Sequence, residues 1–207
     1  MPPVYGVKKA VGTYNPFVIN YQQLGRLLRD ALRTRSWRDR LRIWWMPTGW
    51  RPADVAERFP IDGVLGGKTV YAQVKYDPAV APGALTWAWT QFAWTQLLMV
   101  YLFTHLAEVG VRGGLLYGAY LALTIWSLTA LLDGSRSAVL AEALRVGVAA
   151  VAVATTGGWF GAEAIVPAAG WLVLGWSVVG AVLTYRMLDT TGKTGSPTTE
   201  NISVVLR

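Results

Sequence analysis

The sequence predicts an all-α, polytopic membrane protein with about four transmembrane helices, preceded by amphipathic interfacial helices. The first observation is the distribution of charge, because eleven of the nineteen Lys and Arg residues fall within the first sixty positions. The second is that residues 85–185 are almost all apolar, aromatic or small. Charged residues make up 15% of the chain, whereas a typical soluble domain has about 25%. A basic block therefore precedes a series of membrane-length apolar stretches.

The net charge of +7 is compatible with binding to either nucleic acid or anionic lipid. The position of the charge favours lipid, because the basic residues lie beside the apolar stretches and no nucleic-acid-binding motif accompanies them. The eleven tryptophans agree with this reading, since indole rings favour the membrane–water interface. We therefore expect membrane lipids with anionic headgroups as partners, and no nucleic acid.

Three regions follow from these patterns. Residues 1–84 are predicted to form a basic, Trp-rich region on the cytoplasmic membrane surface, residues 85–186 the transmembrane region, and residues 187–207 a disordered polar tail. Lys and Arg mark the cytoplasmic side of a membrane. Four spans place both termini on that side, so we expect an integral membrane protein with both ends cytoplasmic.

The basic region is predicted to begin with an extended arm and an amphipathic helix. Pro2, Pro3 and Pro16 predict the arm over residues 1–20, because proline restricts the backbone of the residue before it. Leucine and alanine then recur on one face of a helix over residues 20–34, with arginines on the other side. Such a helix either lies in the membrane interface or packs its apolar face on its own domain. The sequence leaves both readings open.

The segment Ser36–Pro60 carries the candidate binding site. Ser36 is a predicted N-cap, with Asp39 three residues later as in a capping box, and the helix it opens ends before a Met-Pro-Thr-Gly turn. Arg and Trp side chains here suit lipid phosphates and the headgroup layer, and a structural cover over neighbouring protein is the alternative. The candidate headgroup and interface residues are Arg38, Arg40, Arg42, Trp44, Trp45, Trp50 and Arg51. A short helix at Ala53–Arg58 and a short strand or extended tether at Thr69–Tyr76 are predicted to follow.

Four apolar segments of roughly membrane length follow. The predicted spans are Leu85–Ala107, Gly114–Leu132, Ser137–Thr156 and Ala164–Tyr185. The third contains Glu142 and Arg145, and a charge at the centre of a bilayer costs about 2.5–3.5 kcal/mol. Arg145 can extend toward the interface, and the two residues can also pair, since they are three positions apart on a helix. If this segment instead lies flat, the protein has three spans.

No catalytic or metal-ligating residue is predicted in this chain. His105 is the only histidine and cysteine is absent, so the ligands for an iron or zinc site are missing. We expect His105 to make hydrogen bonds near the end of a span. Gly-x-Ser-x-Gly and phosphate-loop patterns are absent as well. Gly110, Gly114 and Gly118 have the spacing of closely packed helices, and packing within the chain is expected ahead of dimerisation.

Four short motifs in the basic region resemble a known family. They are Pro3–Val7 (PVYGV), Tyr14–Pro16 (YNP), Trp37–Arg42 (WRDRLR) and Met46–Pro52 (MPTGWRP). In content and order they are similar to the region after the catalytic domain in bacterial members of the sterol desaturase/fatty acid hydroxylase superfamily. The branch they resemble most is the one that includes alkylglycerol monooxygenase. The apolar remainder is similar in character to the C-terminal spans of that branch.

The resemblance implies a non-haem di-iron centre that activates O2 to hydroxylate or desaturate a lipid. The family's clustered His ligands would lie upstream of Pro3–Val7, so the resemblance implies no cofactor in this chain and no activity in the chain alone. It implies that the chain is the C-terminal membrane portion of such an oxidoreductase, with a His-motif catalytic portion as a partner. The alternative is an independent, non-catalytic membrane protein that interacts with lipid or assembles with a partner.

Overall fold

The computed structural model describes residues 12–47, 49–60 and 76–194, and within these residues every regular element is a helix. The chain divides into two compact units at Asp77 and Pro78. This division comes seven residues before the predicted boundary at residue 84. Each unit has its own buried residues and is described by itself.

The first unit contains three helices. They are α1 (Pro16–Arg33), α2 (Trp37–Arg42) and α3 (Ala53–Arg58). The bounds of α3 confirm the predicted short helix. The Ser36 side chain accepts a hydrogen bond from the Asp39 N–H at 3.3 Å, which confirms the predicted N-cap of α2. The helix after Ser36 ends at Arg42, so the prediction that it continues to the Met-Pro turn was wrong.

The start of α1 corrects the predicted extended arm. Asn15 is the N-cap, and its side-chain oxygen accepts hydrogen bonds from the N–H groups of Phe17 and Val18 at 2.9 and 3.3 Å. Pro16 occupies the first helical position, where its missing N–H costs nothing and its fixed φ suits the helix. Residues 16–20 are therefore helical, because proline begins a helix here instead of preventing one. Residues 1–11 of the predicted arm lie outside the described residues.

The second unit contains four long helices. They are α4 (Ala84–Thr104), α5 (Leu106–Leu132), α6 (Ser137–Thr156) and α7 (Ala169–Thr194), with a 3-10 turn at Ala162–Ala164 between the last two. The bounds of α6 confirm the predicted segment. In α5, Gly110 has φ of 68° and ψ of 176°, so a kink separates the first turn from the remainder. The helix begins eight residues before the predicted start at Gly114.

Neighbouring helices of this unit run antiparallel. The Tyr117 hydroxyl of α5 donates to the Leu98 carbonyl of α4 at 2.8 Å, whereas Ala84 and Leu131 share a buried cluster near the other ends of these helices. Ser127 and Glu142 join α5 to α6 across a four-residue turn. These contacts fold the four helices into an up-and-down bundle.

Three helices of the described chain are long and apolar enough to cross a membrane. They are α5, α6 and, within α7, residues Ala169–Thr190. The helix α4 has 21 residues but is not among them, because Gln91, Gln96 and several threonines lower its hydropathy.

Two predictions concern residues near the edges of the described chain. The helix α7 continues to Thr194, so residues 187–194 of the predicted disordered tail are helical. The rest of that tail lies outside the described residues. Residues 69–75, which include all of the predicted strand or tether except its last residue, also lie outside the described residues.

The glycine spacing on α5 does not serve packing within the described part of the chain. A side chain built at Gly110 or Gly118 would meet no atom within 4 Å, and one at Gly114 would meet only Leu106 of the same helix. The expectation of close packing within the chain was wrong for these residues. Gly113, outside the pattern, approaches the Phe160 ring instead.

The bundle has three layers along its axis. One apolar layer contains Ala84, Leu131 and Ala138, with Met187 packed against it. The other apolar layer is larger and aromatic, and its buried members are Leu98, Leu102, Tyr117, Tyr120, Leu121, Ala149, Ala152, Trp159, Ala162, Ala169 and Val173. Between these layers, each of the four helices contributes buried polar side chains.

Candidate functional site

A polar network fills the middle layer of the bundle. Its centre is the ion pair between Glu142 Oε2 and Arg145 Nη2 of α6, 2.6 Å apart, and both side chains are 0% exposed. The pairing predicted from their spacing is confirmed. The alternative prediction, that Arg145 extends to the interface, was wrong, because the guanidinium turns into the bundle.

The other three helices each supply partners to this pair. Glu142 Oε1 accepts hydrogen bonds from the Ser127 hydroxyl of α5 at 2.6 Å and the Thr184 hydroxyl of α7 at 3.4 Å. It also accepts from Gln91 Nε2 of α4 at 3.3 Å. A buried charge is tolerated when it is paired and hydrogen-bonded, so these donors are what allow a carboxylate at this depth.

Gln91 links the two charges through both ends of its amide. Its Oε1 accepts from Arg145 Nη1 at 3.0 Å and from the indole Nε1 of Trp176 at 2.9 Å. Trp176 also lies between Trp87 and Trp94, with ring centroids 5.3 and 5.1 Å away. The sequence analysis missed Gln91 and Trp176. A glutamine within an apolar helix is the signal that could have identified Gln91. Its partner Trp176, however, lies 85 residues later in the chain.

Gly180 is the point at which α7 approaches the network. A Cβ at this position would overlap Arg145 Nη2 and would lie 3.0 Å from Gln91 Nε2 and 3.1 Å from Glu142 Oε2. The charged pair therefore occupies the space that a side chain on α7 would need. Gly175, on the same helix, has no atom within 4 Å of its Cβ position.

A second polar joint closes the α6–α7 connection. Glu163 Oε1 accepts hydrogen bonds from the Trp159 N–H at 2.7 Å and from the Gly170 N–H at 2.9 Å. Partial burial acts to raise the pKa of Glu163. The backbone hydrogen bonds outweigh it and lower this pKa below its ordinary value. The carboxylate occupies the space that a side chain at position 158 would need, so glycine is required there. Glu163 therefore holds the loop to the start of α7.

His105 makes the hydrogen bonds that were expected. Its Nδ1 lies 2.8 Å from the Thr104 hydroxyl and 3.1 Å from the Tyr101 carbonyl, and its ring stacks on Tyr101 with centroids 4.3 Å apart. Among the described residues, no group of three or more His, Cys, Asp or Glu side chains is placed to hold a metal ion. The polar network is thus a set of fixed charges and donors within a packed core.

No family model, curated protein or solved structure matches the chain.

Two of the seven predicted interface residues make hydrogen bonds that connect different segments of the first unit, and such connections are called joints here. Arg40 donates from Nε to the Ala31 carbonyl at 3.0 Å and from Nη2 to the Thr34 carbonyl at 3.1 Å. Arg51 donates to both carboxylate oxygens of Asp30, at 2.7 and 3.1 Å. This hydrogen-bonded pairing raises the pKa of the Arg51 guanidinium above its ordinary value, against the opposing effect of burial.

The other predicted arginines remain at the surface. Arg38 and Arg42 are exposed, and each guanidinium lies beside an indole, 5.8 Å from the Trp37 ring and 5.6 Å from the Trp50 ring respectively. Trp44 and Trp45 are also exposed, the latter by 77%, whereas Trp50 is half-buried. The structure therefore separates an exposed Arg–Trp surface from two arginines that bind the protein itself, of which Arg40 is also exposed.

A third joint fixes α3 to the end of α1. The Asp54 carboxylate accepts from the Arg35 N–H at 2.9 Å and from the Thr34 hydroxyl at 3.0 Å. The backbone hydrogen bond from Arg35 is the main cause that lowers the pKa of Asp54, and burial partly opposes it. Sequence reasoning did not identify Asp54, because its partners are about twenty positions earlier in the chain.

The close approach at Gly180 generates a testable prediction with a matched control. Gly180→Ala should lower the free energy of unfolding by about 1–3 kcal/mol, the usual cost of overpacking a core, because the methyl group displaces the Arg145 guanidinium. Gly175→Ala should be neutral or stabilise by up to about 1 kcal/mol, since alanine favours helix and the site is open. Unfolding of the purified chain in mixed micelles with increasing SDS measures both. Equal effects of the two substitutions would contradict the packing described here.

Proposed function

We propose that this chain is an integral membrane protein in which α4–α7 all cross the bilayer and the first unit lies on the cytoplasmic membrane surface. The observation that carries the proposal is the exposed apolar surface of the second unit. Its middle layer buries polar and charged side chains, whereas its outer surface exposes large apolar side chains from every helix. Examples, one from each helix in order, are Phe103, Leu115, Leu144 and Trp171. Soluble proteins rarely expose such continuous apolar surface.

The helix α4 belongs with the spanning helices despite its lower hydropathy. Gln91 and Thr95, two of its polar residues, are buried within the bundle, and Gln91 is bound to the charged pair. Its exposed positions include Trp89, Phe92 and Phe103. A hydropathy average counts these buried amides and hydroxyls as though they faced lipid. The exposed side of α4 therefore carries large apolar side chains together with threonines.

Membrane crossing by α4 is tested with single cysteines, which the cysteine-free chain allows without background. Cysteines replace Ala79, Glu108, Ser135 and Ile165 one at a time, and a membrane-impermeant maleimide is added to sealed, oriented vesicles. With four spans, positions 79 and 135 should label from one side, and positions 108 and 165 from the other. If position 79 instead labels together with 108 and 165, α4 does not cross.

The exposed Arg–Trp surface supports the lipid-binding part of the proposal. Arg38 and Arg42 present positive charge beside the exposed indole of Trp37 and the half-buried indole of Trp50, and arginine with indole is the combination that binds anionic headgroups and sits at the headgroup depth. Each basic residue near an anionic surface contributes about 1 kcal/mol. Arg40 and Arg51 support the same surface indirectly, because they hold the chain segments that display it.

Hydrogen exchange of the full chain in nanodiscs tests this surface. Peptides covering residues 37–45 should exchange more slowly when the disc contains phosphatidylglycerol, and Arg38→Gln with Arg42→Gln should remove that difference. Arg51→Gln is the control, because Arg51 is half-buried and loss of its bonds to Asp30 should loosen α1 equally in neutral and anionic discs. Equal exchange of the unsubstituted chain in both discs would exclude binding of anionic lipid here.

The narrower proposal is that the chain supplies the non-catalytic membrane portion of a lipid oxidoreductase of the sterol desaturase/fatty acid hydroxylase type. Its support is the resemblance of the four motifs. Three of these motifs contain joint residues of the first unit: Asn15 and Pro16 begin α1, Arg40 binds the end of α1, and Arg51 pairs with Asp30. If this chain and the family have the same fold in this unit, they need the same residues at these joints.

The second candidate function is an independent membrane protein that binds lipid or a partner without redox chemistry. The two are separated by purifying the native protein from source membranes with an antibody against residues 189–207, then measuring mass, iron and co-purifying chains. A His-motif portion, in the same or an associated polypeptide, together with iron supports the oxidoreductase. A polypeptide of 22.6 kDa without iron, whose deletion leaves hydroxylated and unsaturated lipids unchanged, supports the independent protein. About two irons bound to the 207-residue chain alone would contradict both.

A further inference from the structure

The helix α1 exposes a continuous apolar stripe. Its members are Tyr21, Leu24, Leu28 and Leu32, with 62%, 48%, 50% and 69% of their surface exposed. Their spacing of three, four and four residues places them on one side of the helix. A helix that packed its apolar face on its own unit would bury these side chains. The described structure therefore argues against the packed alternative that the sequence left open.

The remaining sides of α1 are assigned by their contacts. One side faces the first unit, where Ala31 is buried and Asp30 pairs with Arg51. Another side carries Arg26, Arg29 and Arg33. At about 100° per residue, the apolar stripe lies between the protein-facing side and the arginine side. This is the cross-section of a helix that lies in a membrane surface while remaining attached to a folded unit.

We propose that α1 lies in the plane of the membrane interface, with its Tyr–Leu stripe at the boundary between headgroups and acyl chains. This inference rests on the proposed function, because the spanning helices are what hold the first unit at a bilayer. The occupant of the stripe is an anionic phospholipid surface, for two reasons. Arg29, the exposed arginine next to the stripe, complements phosphate groups, and the same chain carries membrane-length helices that keep α1 within reach of lipid.

The arginine side adds the attraction that a purely apolar face would lack. Arg29 is exposed. Arg26 donates a hydrogen bond to Gln22 Oε1, four residues earlier on the same helix, at 3.3 Å. Arg33 lies 4.3 Å from the centre of the Phe59 ring, which fixes it at the end of the helix near the third helix of the unit. The three cations extend along about two turns of α1. The helix therefore presents charge and apolar surface over the same length.

The absence of cysteine from the chain makes the test direct. Leu28→Cys carries a nitroxide spin label on the stripe. Gln23→Cys is the matched control, because Gln23 is an exposed polar residue five positions away, about 140° around the same helix. The full chain is reconstituted into phosphatidylcholine vesicles with phosphatidylglycerol, and collisions of each label with oxygen and with a water-soluble nickel complex are measured.

The label at position 28 should collide several-fold more with oxygen than with nickel, since oxygen concentrates in the acyl region. The label at position 23 should show the reverse preference. Two results would overturn the proposal: equal nickel access at both positions, which means that the stripe faces water, or protection of position 28 from both reagents, which means that protein covers it. A label at Leu24 guards against a local disturbance at one site, and should report the same environment as position 28.

The topology labels keep this inference separate from the proposed function. If positions 79, 108, 135 and 165 report four spans while position 28 faces water, only the placement of α1 is overturned. If those labels show that the helices of the second unit do not cross the bilayer, the proposed function itself fails. Omitting phosphatidylglycerol should raise the nickel access of position 28, because the arginines then lose their anionic partners.

Discussion

The ion pair between Glu142 and Arg145 is the interaction on which the second unit depends. Two charges removed from water need an attractive partner and further hydrogen bonds, and without them the fold would lose several kcal/mol per ion. Here the bonds come from a different helix each time: Gln91 from α4, Ser127 from α5 and Thr184 from α7. Apolar surfaces alone permit helices to slide past one another, whereas these directional contacts allow one register. Glycine at position 180 leaves room on α7 for the Arg145 guanidinium, so this helix can pack closely against the ion pair.

The first unit uses charge for two different purposes. Arg51 and Arg40 satisfy carboxylate and carbonyl oxygens within the protein, so they act as parts of the scaffold. Arg38 and Arg42 remain at the surface beside indoles, so they are free to act on something outside it. A count of basic residues treats all four alike.

The predictions that depended on local spacing agree well with the structure. The bounds of α3 and α6, the cap at Ser36 and the pairing of Glu142 with Arg145 all involve residues within one or two turns of each other. Boundaries differ where a single signal predicts them: Pro16 alone predicts an extended arm, whereas Asn15 directly before it is the N-cap of α1, and α7 continues beyond the residues at which its hydropathy falls. The network partners Gln91 and Trp176 could not be paired from sequence, because no periodicity connects residues on different helices.

The kink at Gly110 has a consequence for how the protein fits a bilayer. At 1.5 Å per residue, the 27 residues of α5 would extend about 40 Å, well beyond a hydrocarbon thickness of about 30 Å. The residues after the kink extend about 33 Å, which matches that thickness with little tilt. The left-handed backbone at Gly110 removes the excess length by letting the first turn point in another direction. If α5 crosses the bilayer as proposed, the kink therefore relieves hydrophobic mismatch within one helix.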